Sequence, residues 1–385
     1  MIKSYKVMLI PNNKQRSKFF QNAGCARFAY NWAISKMKDY YKNTGKFMNE
    51  FDLRKEFTKF KSNSEYTWLY QYSNDILKQV IKDAHLAYER FLKGISDFPK
   101  FKSRRKSEPS FYCDTFKIEF DSNHVKLEKI ANSTRKNRRK LNWIRLAEKN
   151  RIPVNARYCN PRIVYDGLNW WITVGIEEEI IKSNKPYSDG IGIDLGVKDL
   201  IICSDNIKYK NINKSRKVKL IEKRKKRYQR SVSRKYLKNK KGESYCKTQN
   251  IKKIEKKVLK LNKRLTYIRT DYLYKCINDM INRKPRFIKM EDLNAKGMVK
   301  NHKIAKSVSE ASFNKIKQIL TYKCQKEGIE LKLIDRWFPS SKTCSRCGNV
   351  KKELSLKERI YVCERCGFVI DRDYNASINI LNYKF

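Results

Sequence analysis

Three carboxylates stand where apolar segments end or a helix begins, positions that suit metal-dependent chemistry. Asp194 lies inside the apolar run Gly190–Leu200, Glu291 ends the apolar stretch Phe287–Met290, and Asp373 stands where we predict the N-cap of a helix. A buried carboxylate without a cationic partner costs several kcal/mol. Together the three could hold two Mg²⁺ ions about 4 Å apart, which would bind the attacking and leaving oxygens of a phosphodiester.

The glycines around Asp194 favour a buried strand at a functional site. Gly190, Gly192 and Gly196 let the backbone bend or let another segment come close. The alternative interpretation is that Asp194 only caps a turn at the end of its strand.

Four cysteines near the end of the sequence predict a metal site. They form two C-x-x-C pairs, each followed by glycine: Cys344, Cys347, Cys363 and Cys366. This spacing matches a four-thiolate zinc ribbon, which is a closed and therefore structural site. Redox-active pairs or a disulfide are the alternatives.

The charge of the chain indicates a polyanionic partner. Its 385 residues include 89 Lys and Arg against 39 Asp and Glu, a formal net charge of +50. Nucleic acid is the obvious counter-charge, and the 12% aromatic content supplies rings for base stacking. An anionic membrane surface fits less well, because no long apolar span appears. Residues 1–10 are too short and polar for a signal peptide, so we expect a cytoplasmic, prokaryotic protein that associates with the nucleoid when bound to DNA.

The first half of the chain predicts a β domain with a helical insertion. A short strand at Lys6–Ile10 precedes helical periodicity from about Lys14, and alternation returns after Ser110, with a hairpin turn at Asp166–Asn169. One predicted helix carries a polar face that could touch nucleic acid or could simply face solvent: Asn74, Lys78, Lys82 and His85. The polar segment 181–189 marks the expected domain boundary.

The segment Lys208–Arg264 is rich in lysine and arginine and suits contact with a nucleic-acid backbone. Ile251, Leu261 and Leu265 keep helical spacing, so we predict a helix pair broken near Lys240–Gly242. A disordered basic arm is the alternative.

These motifs in combination resemble the TnpB family, the transposon-encoded RNA-guided nucleases related to miniature type V CRISPR effectors. The resemblance rests on segments spread over nearly the whole chain: Arg27–Trp32, Ile193–Gly196, Glu291–Asn294 with Gly297–Met298, Arg336–Cys344 and Asp371–Ala376. Asp292 departs from the pattern, since Asn is frequent there.

The resemblance implies a multidomain α+β protein. Its N-terminal part would be a wedge β-barrel, residues 1–12 and 110–182, with a helical recognition domain inserted at 13–109. A RuvC-like nuclease domain of RNase H fold would follow at 183–385, with the zinc ribbon inserted at about 338–370.

The resemblance also implies chemistry and partners. Asp194, Glu291 and Asp373 become the catalytic ligands of Mg²⁺, and the protein would bind a guide RNA and target DNA, with no membrane and no small-molecule substrate. Asp371 competes for the third place; we prefer Asp373 because it directly precedes the helix start marked by Asn375 and Ala376. The predicted activity is RNA-guided cutting of DNA beside a short flanking motif.

Two other functions stay open at this point. A transposase on the same fold would cut and join DNA ends by protein-only recognition. A binding-only regulator descended from the nuclease would have no reason to keep three costly carboxylates together.

Overall fold

The computed structural model describes residues 2–130, 141–178, 188–355 and 358–385. The chain divides into two compact units, residues 1–179 and 180–385. The basic stretch Arg135–Lys140, which the sequence predicts to be an exposed loop, lies outside the described residues, and so does most of the boundary segment 181–189.

The first unit is built on a seven-stranded antiparallel sheet with the order β2-β6-β7-β1-β5-β4-β3. Its strands are β1 (Ile2–Ile10), β2 (Ser110–Tyr112), β3 (Glu119–Phe120), β4 (His124–Lys126), β5 (Trp143–Leu146), β6 (Tyr158–Tyr165) and β7 (Trp170–Glu177). The predicted hairpin is confirmed, since β6 and β7 pair across a turn in which Gly167 has φ of 85°. No pairing joins β2 to β3 within the described ranges, so closure into a barrel stays a prediction.

The helices of this unit follow β1 directly, as the change of periodicity predicts. They are α1 (Asn13–Thr44), α2 (Glu50–Ser62) and α3 (Asn74–Leu92), with a 3₁₀ helix at Ser64–Gln71. Asn12 caps α1 reciprocally with Gln15, whose side-chain amide also donates to the carbonyl oxygens of Leu141 and Trp143 beside β5. The apolar stripes of α1 and α3 pack with the inward side chains of the sheet in one core.

The second unit contains a five-stranded mixed sheet with the order β10-β9-β8-β13-β14. Its strands are β8 (Ile191–Leu195), β9 (Asp199–Cys203), β10 (Lys208–Lys210), β13 (Phe287–Glu291) and β14 (Glu330–Ile334). Between β10 and β13, the strands β11 (Lys240–Lys241) and β12 (Ser244–Tyr245) form a separate short hairpin. Strands β8, β13 and β14 run parallel, whereas β9 and β10 are antiparallel to their neighbours.

Long helices connect these strands. They are α4 (Arg216–Lys238), α5 (Gln249–Asn282), α6 (Ala295–Val299), α7 (His302–Ala311) and α8 (Phe313–Glu327), with a 3₁₀ helix at Ile212–Lys214. The predicted basic helix pair is confirmed as α4 and α5, separated by the hairpin in which Gly242 has φ of 56°. Ile193 and Met290 point to the sheet face that α5 and α8 cover with apolar side chains.

The chain ends in a small hairpin, β15 (Ile360–Val362) and β16 (Val369–Asp371), followed by α9 (Arg372–Asn382). Helix α9 lies on the opposite face of the sheet, directly against β8. A Cβ on Gly192 would lie 2.2 Å from the carbonyl oxygen of Ser377, so only glycine allows this backbone contact. The expectation that these glycines let another segment come close is confirmed at Gly192.

Candidate active site

Asp194 and Glu291 lie side by side at the C-terminal ends of β8 and β13, two adjacent parallel strands inside the mixed sheet. Met290 pairs with Ile193 in the parallel ladder of β13 and β8, so the carboxylates occupy the next position of each strand. Side chains alternate along a strand, and therefore both carboxylates point away from the apolar core and toward the face that α9 covers.

Helix α9 supplies the third carboxylate. Gly192 and Asp194 are two residues apart and share a face of β8, and the close contact at Gly192 brings the first turn of α9, with Asp373, near Asp194. The sheet and the helix thus bring all three predicted residues to one place.

Burial and neighbouring negative charge act on Asp194. Burial, followed by the charges of Glu291 and Asp373, raises the pKa of Asp194 to about 8. Burial likewise raises the pKa of Glu291. Adding positive charge here would relieve both effects, so the donors fit a divalent cation.

The spacing of the carboxylates is wider than the shell of a single ion. Among the described residues, the four cysteines are the one group of three or more Cys, His, Asp or Glu whose ligand atoms all lie within 4.8 Å of one another. In this structure the ligand atoms of Asp194, Glu291 and Asp373 are therefore too far apart to share one ion.

The structure corrects the predicted start of the last helix. The N-cap is Asp371, not Asp373: its Oδ1 accepts from the backbone N of Tyr374 at 2.9 Å, and Asp373 lies in the first turn. Our reason for preferring Asp373 was therefore wrong. Asp373 is nevertheless the carboxylate of α9 whose charge acts on Asp194. Asp371 instead forms an ion pair with Lys208 at 3.2 Å. Burial raises the pKa of Asp371, but the Tyr374 and Lys208 contacts more than offset it and leave that pKa below its ordinary value.

Asp292 has a structural position beside the site. It accepts from Lys317 at 2.7 Å and from Arg336 at 3.0 Å, and these cations hold its pKa below the usual range. The contacts tie the end of β13 to α8 and to the segment after β14.

The predicted metal-binding cysteines form a compact cluster. The sulfurs of Cys344 and Cys366 are 3.7 Å apart, and those of Cys347 and Cys363 are 3.6 Å apart. Tetrahedral ligation with Zn–S bonds of about 2.3 Å requires roughly 3.8 Å between sulfurs, so the thiol geometry is compatible with structural zinc. We call the pair Cys344 and Cys347 the first knuckle and the pair Cys363 and Cys366 the second knuckle. Gly348 and Gly367 follow them with φ of 73° and 67°, values that suit the turns at these positions.

Sequence reasoning missed three polar residues that connect this cluster to the carboxylates. Asn375 and Asn379 are buried on α9, and their side chains hydrogen-bond to residues 340–345, which lead into the first cysteine pair. Ser340 is also buried, and its hydroxyl donates to Glu291. The signal available was the pair of asparagines four residues apart, which places both on one helix face.

The predicted nucleic-acid residues are solvent-accessible. Asn74, Lys78 and Lys82 are exposed on α3, and Asn74 accepts from Lys61 at 2.8 Å. A second basic surface lies along α4, where four exposed cations share one side of the helix: Lys226, Arg227, Arg230 and Arg234. None of the helices in the described ranges is long and apolar enough to span a membrane.

Three family models match the chain. They are described as "Helix-turn-helix domain" at residues 1–46, "Probable transposase" at residues 173–302, and "Cas12f1-like, TNB domain" at residues 313–380. The first match covers β1 and α1, and the last covers α8, β14, the cysteine cluster and most of α9.

Relatives match over nearly the full length. A Streptomyces pristinaespiralis protein named "Putative RNA-guided DNA endonuclease" is 29% identical over 98% of this chain and 88% of its own length. A protein of the same description from Escherichia coli K12, InsQ, is 24% identical over 99% of this chain and 92% of its own length. The TnpB-like protein L79 of Acanthamoeba polyphaga mimivirus is 34% identical over 34% of this chain and 25% of its own length.

The fold is similar to that of a Cas12f1 protein solved in complex with sgRNA and target DNA. That chain aligns with a TM-score of 0.61 and 15% identity, over 96% of this chain and 82% of its own. The likeness shows a shared mixed α/β multidomain fold. The predicted resemblance to the TnpB family is confirmed by family models that match in both units and by relatives that match from end to end.

Proposed function

We propose that the protein is an RNA-guided DNA endonuclease that cuts beside a short flanking motif. The observation that carries the proposal is the meeting of Asp194, Glu291 and Asp373 at one sheet edge in a chain with a net charge of +50. The full-length relatives named as RNA-guided DNA endonucleases support the same activity.

The second unit is proposed to be RuvC-like. In its sheet the strands β10, β9 and β8 pair antiparallel, and β13 and β14 continue parallel to β8. Helix α9 lies against β8, the strand at which the pairing changes. In the first unit, β1 and the strands after Ser110 would form the wedge barrel, and the helices between them the recognition domain. We propose domain limits at 1–12 and 110–182, 13–109, and 183–385.

In this mechanism Asp194, Glu291 and Asp373 would hold Mg²⁺. Bound divalent ions supply charge neutralisation for the attacking and leaving oxygens of the phosphodiester. Ser340 fixes the carboxylate of Glu291 by donating to it, and Arg359 lies 3.7 Å from Asp373, where it orients that side chain. The parallel register of β8 and β13 places Asp194 and Glu291 on neighbouring strands at the same level of the sheet.

The four cysteines are proposed to hold one structural zinc ion. Backbone N–H groups of Cys366 and Arg365 hydrogen-bond to the sulfur of Cys363 and lower the pKa of that thiol, which favours the thiolate that zinc requires.

Guide RNA and target DNA would bind the basic surfaces. The exposed face of α4 presents its cations in a row along one side of the helix, and such a row suits a phosphate backbone rather than base edges. Asn74, Lys78 and Lys82 on α3 are proposed contacts to the flanking DNA motif. In guided nucleases base pairing reads sequence, while the protein reads backbone shape and this motif.

The test is a cleavage assay with protein stripped of RNA. With Mg²⁺ present, target DNA should be cut at a defined site only when a matching guide is supplied. Site-specific cutting or strand transfer by RNA-free protein would contradict the proposal and favour a transposase.

A further inference from the structure

Two asparagines of α9 bind the first cysteine knuckle. The Nδ2 of Asn375 donates to the carbonyl oxygen of Thr343 at 2.7 Å, and the Nδ2 of Asn379 donates to the same oxygen at 2.6 Å and to that of Ser340 at 2.8 Å. Both side chains are buried, Asn375 fully and Asn379 to within 6% exposure. Buried amides that satisfy several carbonyls define one geometry, because any displacement leaves polar groups unpaired.

The orientation of Asn375 is fixed by its second contact. Its Oδ1 accepts from the backbone N of Ser345 at 3.0 Å. A backbone N–H can only donate, so the amide nitrogen must face Thr343. Asn375 therefore binds the residues on both sides of Cys344, one of the four cysteines.

The same segment contacts Glu291. Ser340 donates through its hydroxyl to a carboxylate oxygen of Glu291, while its carbonyl oxygen accepts from Asn379. Residues 340–345 thus touch the two elements that carry Glu291 and Asp373.

We propose that Asn375, Asn379 and Ser340 form a clamp through which zinc ligation at Cys344 positions Asp373 and Glu291 for divalent metal. They are positioning residues, since the structure places them against the carboxylate-bearing elements and the knuckle. The inference rests on the proposed function, because it assigns the carboxylates to a metal site.

The test uses the full chain and Mn²⁺ as the probe of the carboxylate site. Asn379→Ala removes the amide that donates to both carbonyl oxygens. The carbonyl oxygen of Ser340 then loses this partner, while that of Thr343 keeps only Asn375. We expect Mn²⁺ binding, followed by electron paramagnetic resonance, to weaken roughly tenfold to a hundredfold. Cleavage at saturating DNA should slow by a similar factor, while zinc content and DNA affinity stay unchanged, and excess Mg²⁺ should restore part of the rate.

Asn382→Ala is the matched control, because Asn382 is an exposed asparagine of the same helix. It should bind Mn²⁺ and cut DNA like the native protein. If Asn379→Ala matches this control in Mn²⁺ affinity and rate, the clamp is refuted.

A second variant covers the case in which Asn379→Ala fails to fold. Ser340→Ala deletes one hydroxyl and should weaken Mn²⁺ binding several-fold with zinc retained. Unchanged Mn²⁺ affinity in Ser340→Ala would overturn the proposal.

Removing zinc from the native protein with a chelator should also weaken Mn²⁺ binding, and unchanged binding would contradict the coupling. Failure of the proposed function looks different: the native protein would then show no guide-dependent cutting, or Asp194→Ala would bind Mn²⁺ and cut DNA like the native protein, whatever the clamp variants do.

Discussion

Replacing Asp194 by Asn should make the metal-free protein more stable while it abolishes cleavage. Asn keeps the shape of Asp but carries no charge. Burial and the charges of Glu291 and Asp373 raise the pKa of Asp194 from 3.8 to about 8. Between these pH values the folded protein keeps a proton on Asp194 that the unfolded chain releases, so this group makes folding less favourable as pH rises through the window.

The magnitude follows from that shift. At pH 7, about three pH units above the pKa of Asp194 in the unfolded chain, ionisation stabilises the unfolded state by about 1.36 kcal/mol per unit. The free energy of unfolding is thereby lowered by roughly 4 kcal/mol. Water screens part of this at a partly exposed side chain, so we expect the Asn variant to gain about 2–4 kcal/mol. For a unit of this size that corresponds to roughly 4–16 °C in Tm.

The assay is thermal unfolding in EDTA at pH 5 and pH 8, with cleavage measured separately in Mg²⁺. The stability advantage of Asp194→Asn should be larger at pH 8 than at pH 5. Adding Mg²⁺ should raise the Tm of the native protein more than that of the variant.

Asp292→Asn is the matched control with the opposite sign. Lys317 and Arg336 hold the pKa of Asp292 below its usual range, so its charge contributes stability above the unfolded pKa, and the Asn variant should be less stable at neutral pH. An Asp194→Asn protein that is no more stable than the native protein at pH 8, or that still cuts DNA, would refute the reasoning.

Three further outcomes are expected. Asp373→Ala should reduce cleavage far more than Asp371→Ala in a guided cleavage assay, and the reverse order would reassign the third ligand. Cys344→Ser should lose zinc by metal analysis and destabilise residues 340–371 in hydrogen exchange, since thiolate ligation contributes folding energy; full zinc content would contradict this. Gly192→Ala should lower stability by at least about 2 kcal/mol and slow cleavage, because its Cβ meets Ser377 at 2.2 Å. Gly24→Ala is the control for the Gly192 variant, because a Cβ at Gly24 would have its nearest neighbour 3.9 Å away. In denaturant unfolding of both variants, it should be neutral or stabilising by up to about 1 kcal/mol.

The local patterns were enough to predict the elements and the chemistry they carry. Apolar spacing indicated the α4 and α5 pair and the stripe of α3, and turn residues indicated the β6–β7 hairpin, because both signals depend only on neighbours along the chain. The C-x-x-C spacing predicted the cysteine cluster for the same reason. The net charge predicted a polyanionic partner but not which basic surface would bind it. The cations of α4 share one face only because the segment is helical.

Only the tertiary structure decided how the site is assembled. The parallel register of β8 and β13 puts Asp194 beside Glu291, and that register is set by packing of both sheet faces. The choice between Asp371 and Asp373 depended on which carboxylate caps α9 and which one turns toward Asp194, and sequence spacing placed the cap two residues too late. Asn375 and Asn379 looked like ordinary helix residues, because their partners at Ser340 and Thr343 lie more than thirty residues away. Contacts across such distances depend on the burial of α9 against Gly192, so the four-residue spacing of the asparagines does not by itself identify their partners.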